Sequence, residues 1–258
     1  MVQYDILQAI FNKLQSKCQN KIASKGSWFD GIKLTMQQAI LILYFWVYKY
    51  TQMQLRHELK IGSKHTSVDW YNFVREVCAK ILISESEQIG GIGVTVEIDE
   101  SMFCGRRKYN RGQIRNQIWV FGAVESHDKS KCFLVPVLRR NRATLLPIIR
   151  RWIKPGTTII SDFWGAYNCL QYQGFQHLRV NHQYNFVDPD TGAHTNTIEG
   201  TWSHAKRILP RTGTSSELLG SYLIEFMYRR EYFNNLPNED KFLILVNHIA
   251  RIYDSSNE

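Results

Sequence analysis

The run Val94-Thr95-Val96-Glu97-Ile98-Asp99 opens the part of this 258-residue chain that decides its fold, and that part continues to Arg207. Apolar and polar residues alternate along the run, which predicts a strand that ends at Asp99. A second predicted strand ends at Asp162, and a predicted helix carries Glu199 early in its sequence. Two strand-end aspartates and a helical glutamate can meet at one edge of a sheet.

The segments around these acids follow the order of an α/β domain. Beyond residue 92 the pattern predicts three strands joined by short loops, a helix, a strand, a helix, a strand and then further helices. The predicted strands cover residues 94–99, 118–124, 132–138, 157–162 and 177–180, and the predicted helices cover 139–154, a segment through Tyr167 that closes near Gly174, 197–207, 216–233 and 239–253. This is the order of a ribonuclease-H-like domain, a mixed five-stranded sheet with helices on its faces.

The part before residue 84 is predicted to be helical. Thr35, with Gln38 three residues on, predicts a capped helix. A shorter helix follows over residues 51–59, and a third covers about 64–82. A helix, a short Gly-containing turn and a helix form the pattern of a helix-turn-helix, here at about residues 35–83.

A helix-turn-helix would present the start of its last helix to the major groove of DNA. In that interpretation Lys64, His65 and Thr66 would face the DNA. Many small helical bundles share the same spacing, so a plain packing domain is the alternative.

Composition divides the chain into three regions. Residues 84–93 are polar and contain three glycines, which is typical of a linker. We therefore expect a helical N-terminal region over 1–88, an α/β domain over 92–235 and a C-terminal helix over 236–258.

Composition and charge narrow the functional classes. The net charge of +9 and the pI of about 9.3 indicate a polyanionic partner, with nucleic acid first and an acidic membrane surface second. The five cysteines include no CxxC pair, which argues against a zinc ribbon and, by their odd number, against a disulfide framework. The longest apolar run, residues 39–48, is too short to span a bilayer, and the N-terminus lacks the pattern of a secretory signal, so a soluble intracellular protein is expected.

The three acids suit hydrolysis or transfer at a phosphodiester. Two Mg²⁺ ions can activate the attacking oxygen and stabilise the leaving oxygen of an in-line displacement. Mg²⁺ prefers carboxylate oxygens, and two Asp and one Glu meet that preference. In this interpretation Asp99 would bridge the two ions, while Asp162 and Glu199 would hold one each. Any one of these acids alone would more often be a cap, a turn former or a solvated surface residue.

Basic residues near the three acids are candidates for contacts with DNA phosphates. Lys206 lies seven residues after Glu199, two helical turns on and so on the same face. Trp202 lies near that face and could stack on a base or belong to the core. The basic candidates are Arg106, Arg107 and Lys108 in a hairpin tip, Arg139 and Arg140 in a basic helical region, and Lys206 with Arg207.

Three motifs resemble a known family. The run from Val180 to Glu199, Val-Asn-His-Gln-Tyr-Asn-Phe-Val-Asp-Pro-Asp-Thr-Gly-Ala-His-Thr-Asn-Thr-Ile-Glu, resembles the DDE transposases of the Merlin superfamily, which are related to bacterial insertion-sequence transposases with an ISXO2-like catalytic domain. Glu97-Ile98-Asp99-Glu100-Ser101 and Ser161-Asp162-Phe163-Trp164-Gly165-Ala166-Tyr167 are similar to the first and second acidic motifs of that family. The resemblance covers roughly residues 94–232.

This resemblance implies an enzyme that moves DNA. It implies a catalytic trio of Asp99, Asp162 and Glu199, two Mg²⁺ or Mn²⁺ ions, and cut-and-paste movement of an element with terminal inverted repeats. It also implies double-stranded DNA as partner and a nuclear site of action in a eukaryotic host. We expect a homodimer or larger assembly because two element ends must be brought together. Related bacterial transposases often carry an N-terminal zinc ribbon, which this chain lacks, so end recognition would depend on the helix-turn-helix.

Two other functions stay open at this point. The chain could be a host-recruited DNA-binding protein descended from a transposase, in which the catalytic fold serves as a scaffold. It could also be a ribonuclease-H-like nuclease without strand transfer.

Overall fold

The computed structural model describes residues 34–103, 118–180, 192–209 and 216–253. Contacts between residues divide the chain into two compact units. Of the described residues, the helical unit comprises 34–81 and 235–253, and the sheet unit comprises those between Leu82 and Asn234. The C-terminal helix, treated in the sequence as a separate segment, is therefore grouped with the N-terminal helices.

The described residues form seven α-helices and five strands. In chain order these are α1 (Met36–Val47), α2 (Gln52–Glu58), α3 (Lys64–Glu85), β1 (Thr95–Phe103), β2 (Ile118–Glu125), β3 (Cys132–Val137), α4 (Arg142–Trp152), β4 (Thr158–Asp162), β5 (Gln176–Val180), α5 (Asn196–Ile208), α6 (Ser216–Tyr232) and α7 (Asn238–Ile252). Within the described ranges, no helix combines the length and the apolar character that crossing a membrane requires.

The helical unit begins with two capped helices. Thr35 and Gln38 form the predicted capping box at the start of α1, and Thr51 and Gln54 form a second one at the start of α2. Each box satisfies backbone N–H groups that the first turn of a helix leaves without partners.

Helix α7 packs on α1 in this unit. The rings of Tyr44 and Phe242 lie 6.1 Å apart, edge to face, and the Tyr48 hydroxyl donates to the Asn238 carbonyl at 2.8 Å. The buried face of α7 consists of Phe242, Leu245 and Ile249. The last helix thus completes the core around α1.

The three helices of the predicted helix-turn-helix are present at the expected places, and α3 runs three residues further than expected, to Glu85. Lys64 and His65 at the start of α3 are exposed, and Thr66 is half-buried. The inward positions of α3 include Trp70 and Val74. DNA binding by this unit stays a prediction.

The sheet unit contains one mixed sheet with the strand order β3-β2-β1-β4-β5. Strands β1, β2 and β3 pair antiparallel, whereas β4 pairs parallel with both β1 and β5. Helices cover both faces. This confirms the predicted ribonuclease-H-like α/β fold.

Alternate residues of β1 face two different cores. Val96 and Ile98 pack with Leu145 and Ile149 of α4 on one face of the sheet. Phe103 packs on the opposite face, in the core that includes residues of α5 and α6. Because side chains alternate along a strand, Glu97 and Asp99 share the face covered by α5.

The structure corrects the predicted end of β1. The strand continues four residues past Asp99 to Phe103, because residues 100–103 pair with β2. Its pairing with β4 stops earlier, at Glu97. Asp99 therefore lies two residues beyond the point where β1 and β4 separate, while Asp162 is the last residue of β4, as predicted.

Two predicted helices also differ from the structure. The basic helix begins at Arg142 instead of residue 139, because the Asn141 side chain caps it by accepting from the Thr144 N–H. The segment after Asp162 forms two short 3₁₀ turns, Gly165–Tyr167 and Leu170–Gln173, in place of one α-helix.

A buried carboxylate connects α5 to the sheet. Thr195 precedes α5, but its side chain does not cap the helix. Instead Glu97 Oε2 accepts hydrogen bonds from the N–H groups of Thr197 and Ile198 at 2.8 and 3.0 Å, and its Oε1 accepts from the Ser126 hydroxyl. Glu97 is fully buried. Its negative charge lies at the positive end of the helix dipole, so it stabilises α5 in one position on β1.

We expect Glu97→Ala to lower the free energy of unfolding by about 3 kcal/mol, because buried N–H donors would lose a charged acceptor. Glu97→Gln keeps an acceptor oxygen but removes the charge, so the free energy of unfolding should fall by less, about 1 kcal/mol. Chemical denaturation measures both. The exposed Glu87 is the control, and Glu87→Ala should change stability by less than about 0.5 kcal/mol. A Glu97→Ala protein as stable as the control would contradict the capping role.

Candidate active site

The three acids of the sequence prediction lie on elements that meet near the point where β1 and β4 separate. Asp99 projects from β1, Asp162 ends β4 and Glu199 lies in the first turn of α5. The negative charges of Asp162 and Glu199 both raise the pKa of Asp99. Asp162 and Glu199 thus both lie within electrostatic reach of Asp99.

The pKa of Asp99, one member of this acidic trio, departs strongly from its ordinary value. Burial raises its pKa to about 6, and the neighbouring charges of Asp162 and Glu199 add to the rise. A hydrogen bond opposes it, since the Trp202 indole N–H donates to Asp99 Oδ2 at 2.9 Å. Asp99 therefore ionises near neutral pH in the metal-free protein.

The partner of Asp99 is a core residue. Trp202 is only 5% exposed and packs with Phe103 and other residues between β1, β2 and α5. Its ring can lie close to β2 because Gly122, the residue opposite Asp99, has no side chain. A Cβ at position 122 would lie 2.4 Å from the Trp202 ring. Of the two interpretations of Trp202, the structure supports the core and not a surface for stacking bases.

Each of the other two acids has a local partner as well. The backbone N–H of Trp164 donates to Asp162 Oδ1 at 3.0 Å, and the Thr195 hydroxyl donates to Glu199 Oε1 at 3.1 Å. In the described parts of the chain, no three His, Cys, Asp or Glu side chains are grouped closely enough to hold a metal ion. The chemistry of the acidic trio nevertheless suits hard divalent cations, because positive charge would relieve the repulsion that raises the pKa of Asp99.

A fourth carboxylate, Glu100, was missed by the sequence analysis. Burial raises its pKa to about 7, the Tyr167 hydroxyl that donates to its Oε1 lowers it, and the charges of Asp99 and Asp162 raise it. The Arg140 guanidinium has a smaller lowering effect. The only signal in the sequence was that Glu100 directly follows Asp99.

Lys206 is the basic candidate whose contacts connect it most directly with the acidic trio. Its Nζ donates to Ser101 Oγ at 2.7 Å and lies 5.2 Å from the centroid of the Phe103 ring. Burial lowers its pKa, and the charge of Asp99 acts in the opposite direction. Lys206 therefore lies within electrostatic reach of Asp99.

The remaining basic candidates are distributed more widely. Arg139 and Arg207 are exposed, whereas the Arg140 guanidinium stacks 3.6 Å from the centroid of the Trp119 ring. The basic run Arg106, Arg107 and Lys108 lies outside the described residues, as does the segment 181–191 that leads into the third motif. Lys64, His65 and Thr66 belong to the helical unit.

We expect Asp99→Asn to stabilise the metal-free protein above about pH 6. The folded-state pKa of Asp99, about 6, exceeds the ordinary value of 3.8, so the cost of the ionised carboxylate grows as pH rises from about 4 and is complete above about pH 6. Asparagine carries no charge and keeps an acceptor for Trp202. The gain in the free energy of unfolding should reach at most about 3 kcal/mol, and it should shrink as pH falls from about 6 towards 4.

Chemical denaturation across this pH range tests the expectation. Asp128 is the matched control, because it is exposed and its pKa is lowered by a hydrogen bond from Ser130. Asp128→Asn should therefore not stabilise the protein. An Asp99→Asn protein that is less stable than the natural protein at every pH would contradict the electrostatic picture of the site.

Sequence comparisons place this acidic edge in a family. The model of the ISXO2-like transposase domain matches residues 89–231, more than half of the chain, and the match includes Asp99, Asp162 and Glu199. An uncharacterized transposase-like protein of Haemophilus influenzae is 36% identical over 118 residues, which are 45% of this chain and 92% of that protein.

Comparisons with solved structures give weaker likenesses. The Mos1 mariner paired end complex with Mn has a TM-score of 0.36 at 10% identity, over 94% of this chain and 84% of that chain. The Drosophila P element transposase strand transfer complex has a TM-score of 0.35 at 11% identity, over 93% and 70%. Likenesses of this size support no statement about function. The two sequence matches do identify the family: the chain belongs to the ISXO2-like transposase domain family.

Proposed function

We propose that the chain is a DDE transposase that cuts DNA at the inverted-repeat ends of an element and joins the exposed 3′ hydroxyl to target DNA. The observation that carries the proposal is that Asp162 and Glu199 act electrostatically on the buried Asp99 at one edge of the sheet. Repulsion of Asp99 by two neighbouring carboxylates costs stability, and a perturbed acid of this kind is typical of functional sites. Membership of a transposase family supports the same conclusion.

The acidic trio would hold two divalent cations, Mg²⁺ or Mn²⁺. Asp99 would bind both ions, and Asp162 and Glu199 would bind one each. Bound there, the ions would activate the attacking water or 3′ hydroxyl and stabilise the leaving oxygen. Trp202 would orient Asp99 through its indole N–H, and the Glu97 cap would keep Glu199 at the sheet edge. A protein general base is not required.

Basic residues would bind the DNA around this site. Lys206 would bind a phosphate beside Asp99, and the exposed Arg139 and Arg207 would extend the contact along the backbone. The start of α3, with Lys64, His65 and Thr66, would enter the major groove at the element end. Arg106, Arg107 and Lys108 would complete the phosphate contacts. A homodimer or larger assembly would bring two element ends together. A nuclear site of action and membership of the Merlin superfamily remain predictions.

We expect Asp99→Asn to abolish both DNA cleavage and joining, because the residue that would bind both ions loses its charge. The assay combines purified full chain, Mg²⁺ or Mn²⁺, and DNA that carries the inverted repeat flanking the gene. Asp128→Asn removes an exposed aspartate of the same unit and should retain full activity.

The other outcomes of this assay separate the competing functions. Metal-dependent nicking without joined product would indicate a nuclease without strand transfer. Tight repeat binding without cutting, unchanged in Asp99→Asn, would contradict the proposal and favour a recruited DNA-binding protein.

We expect DNA affinity to fall by about 10³-fold or more between 50 and 200 mM salt, as for proteins that contact several phosphates. Arg207→Gln should reduce the slope of log affinity against log salt by about 1. Lys131→Gln is the control, because the Lys131 ammonium is already paired with Glu231 at 2.7 Å and is less available to a phosphate. An affinity that does not change with salt would contradict phosphate tracking.

A further inference from the structure

Two large aromatic side chains lie exposed directly after Asp162. Phe163 is 54% exposed and Trp164 is 42% exposed. They belong to the same turn as Asp162, because the Trp164 N–H donates to Asp162 Oδ1. Whatever binds these rings therefore lies beside the acidic edge.

Each of the two rings lies beside an arginine. The Arg179 guanidinium lies 4.9 Å from the centroid of the Phe163 ring. The Arg140 guanidinium lies 5.3 Å from the centroid of the Trp164 ring, and the Arg140 carbonyl accepts from the Trp164 indole N–H at 2.9 Å. This hydrogen bond fixes the indole before any ligand arrives, so binding would cost little side-chain entropy.

Exposed aromatic rings beside guanidinium groups suit one class of ligand. Nucleobases stack on aromatic faces and on arginine planes, and the arginine charge attracts the adjoining phosphates. A base inside a duplex already stacks on its neighbours, so its faces are available only when the base is unpaired. The protein's net charge of +9 favours a nucleic acid, which is a polyanion, over a protein surface that has few acidic residues.

We propose that Phe163, Trp164, Arg140 and Arg179 form an aromatic shelf that binds an unpaired base of the DNA strand whose phosphate lies at the acidic trio. The inference rests on the proposed function and deepens it, since it names single-stranded or frayed DNA as the form bound next to the cut. The shelf holds the strand end after its base pair has opened. Trp202, which the sequence offered as a stacking residue, is buried and takes no part.

Binding of labelled oligonucleotides to the full chain tests the shelf without any cleavage. The probes are a short single strand and the blunt duplex of the same sequence, in buffer with a metal chelator, followed by fluorescence anisotropy. Phe163→Ala should weaken binding of the single strand by about 5- to 150-fold, the range expected for loss of one stacked base. Duplex affinity should change less than about twofold. Phe163→Trp keeps an aromatic face and should restore single-strand affinity.

Two further measurements distinguish stacking from charge and from misfolding. Tyr172 is the matched control, because it is an exposed aromatic, 78% exposed, within the same unit. Tyr172→Ala should change neither affinity. Phe163→Ala should leave the salt slope of single-strand binding unchanged, because stacking releases no counterions.

Several outcomes would overturn the shelf. They are unchanged single-strand affinity in Phe163→Ala, equal losses on both probes, or a natural protein that does not bind the single strand. In each case duplex binding and metal-dependent cutting would still support the proposed function. If the natural protein does not cut DNA, but Phe163→Ala still weakens single-strand binding and not duplex binding, the proposed function would be contradicted and the shelf would be supported.

Discussion

The arrangement of the sheet unit depends on one buried negative charge. Glu97 accepts from two N–H groups at the start of α5 and from the Ser126 hydroxyl, and none of its side chain reaches solvent. A buried carboxylate is tolerated only when donors surround it, so the start of α5 has one favourable position on β1. Glu199 is the next residue after Thr197 and Ile198, whose N–H groups are capped. By fixing the start of α5, the cap therefore also fixes the position of Glu199, a candidate catalytic residue.

The acidic edge is a place where the molecule gives up stability. Asp99 is held in a buried site with two other carboxylates in electrostatic reach, and burial is the largest cause of its raised pKa. Trp202 supplies one compensating hydrogen bond, and its ring fits only because Gly122 has no side chain. Trp202 and Gly122 thus pack well around Asp99, whereas the Asp99 carboxylate itself is in an unfavourable environment. Such a local conflict is typical of sites that bind cations or substrate.

Local patterns in the sequence predict much of this structure and fail where long-range contacts decide. Strand alternation and capping signals predict the order of elements, and with it the placement of Asp99 on β1, Asp162 at the end of β4 and Glu199 in the first turn of α5. The cap by Glu97 could not be predicted, because its partners lie 100 residues away and any strand glutamate has the same local pattern. For the same reason, the continuation of β1 past Asp99 depends on its pairing with β2. The extra carboxylate Glu100 is held by Tyr167, which lies 67 residues later.

The division of the chain into units has a consequence for its synthesis. The sheet unit is one continuous segment, Leu82–Asn234, whereas the helical unit takes α1 from early in the chain and α7 from late in it. During translation all residues of the sheet unit emerge before α7, so the apolar face of α1 waits for Phe242 while the sheet can already fold. Nascent chains stopped after Asn234 and before α7 would contain the complete acidic edge but an incomplete helical core.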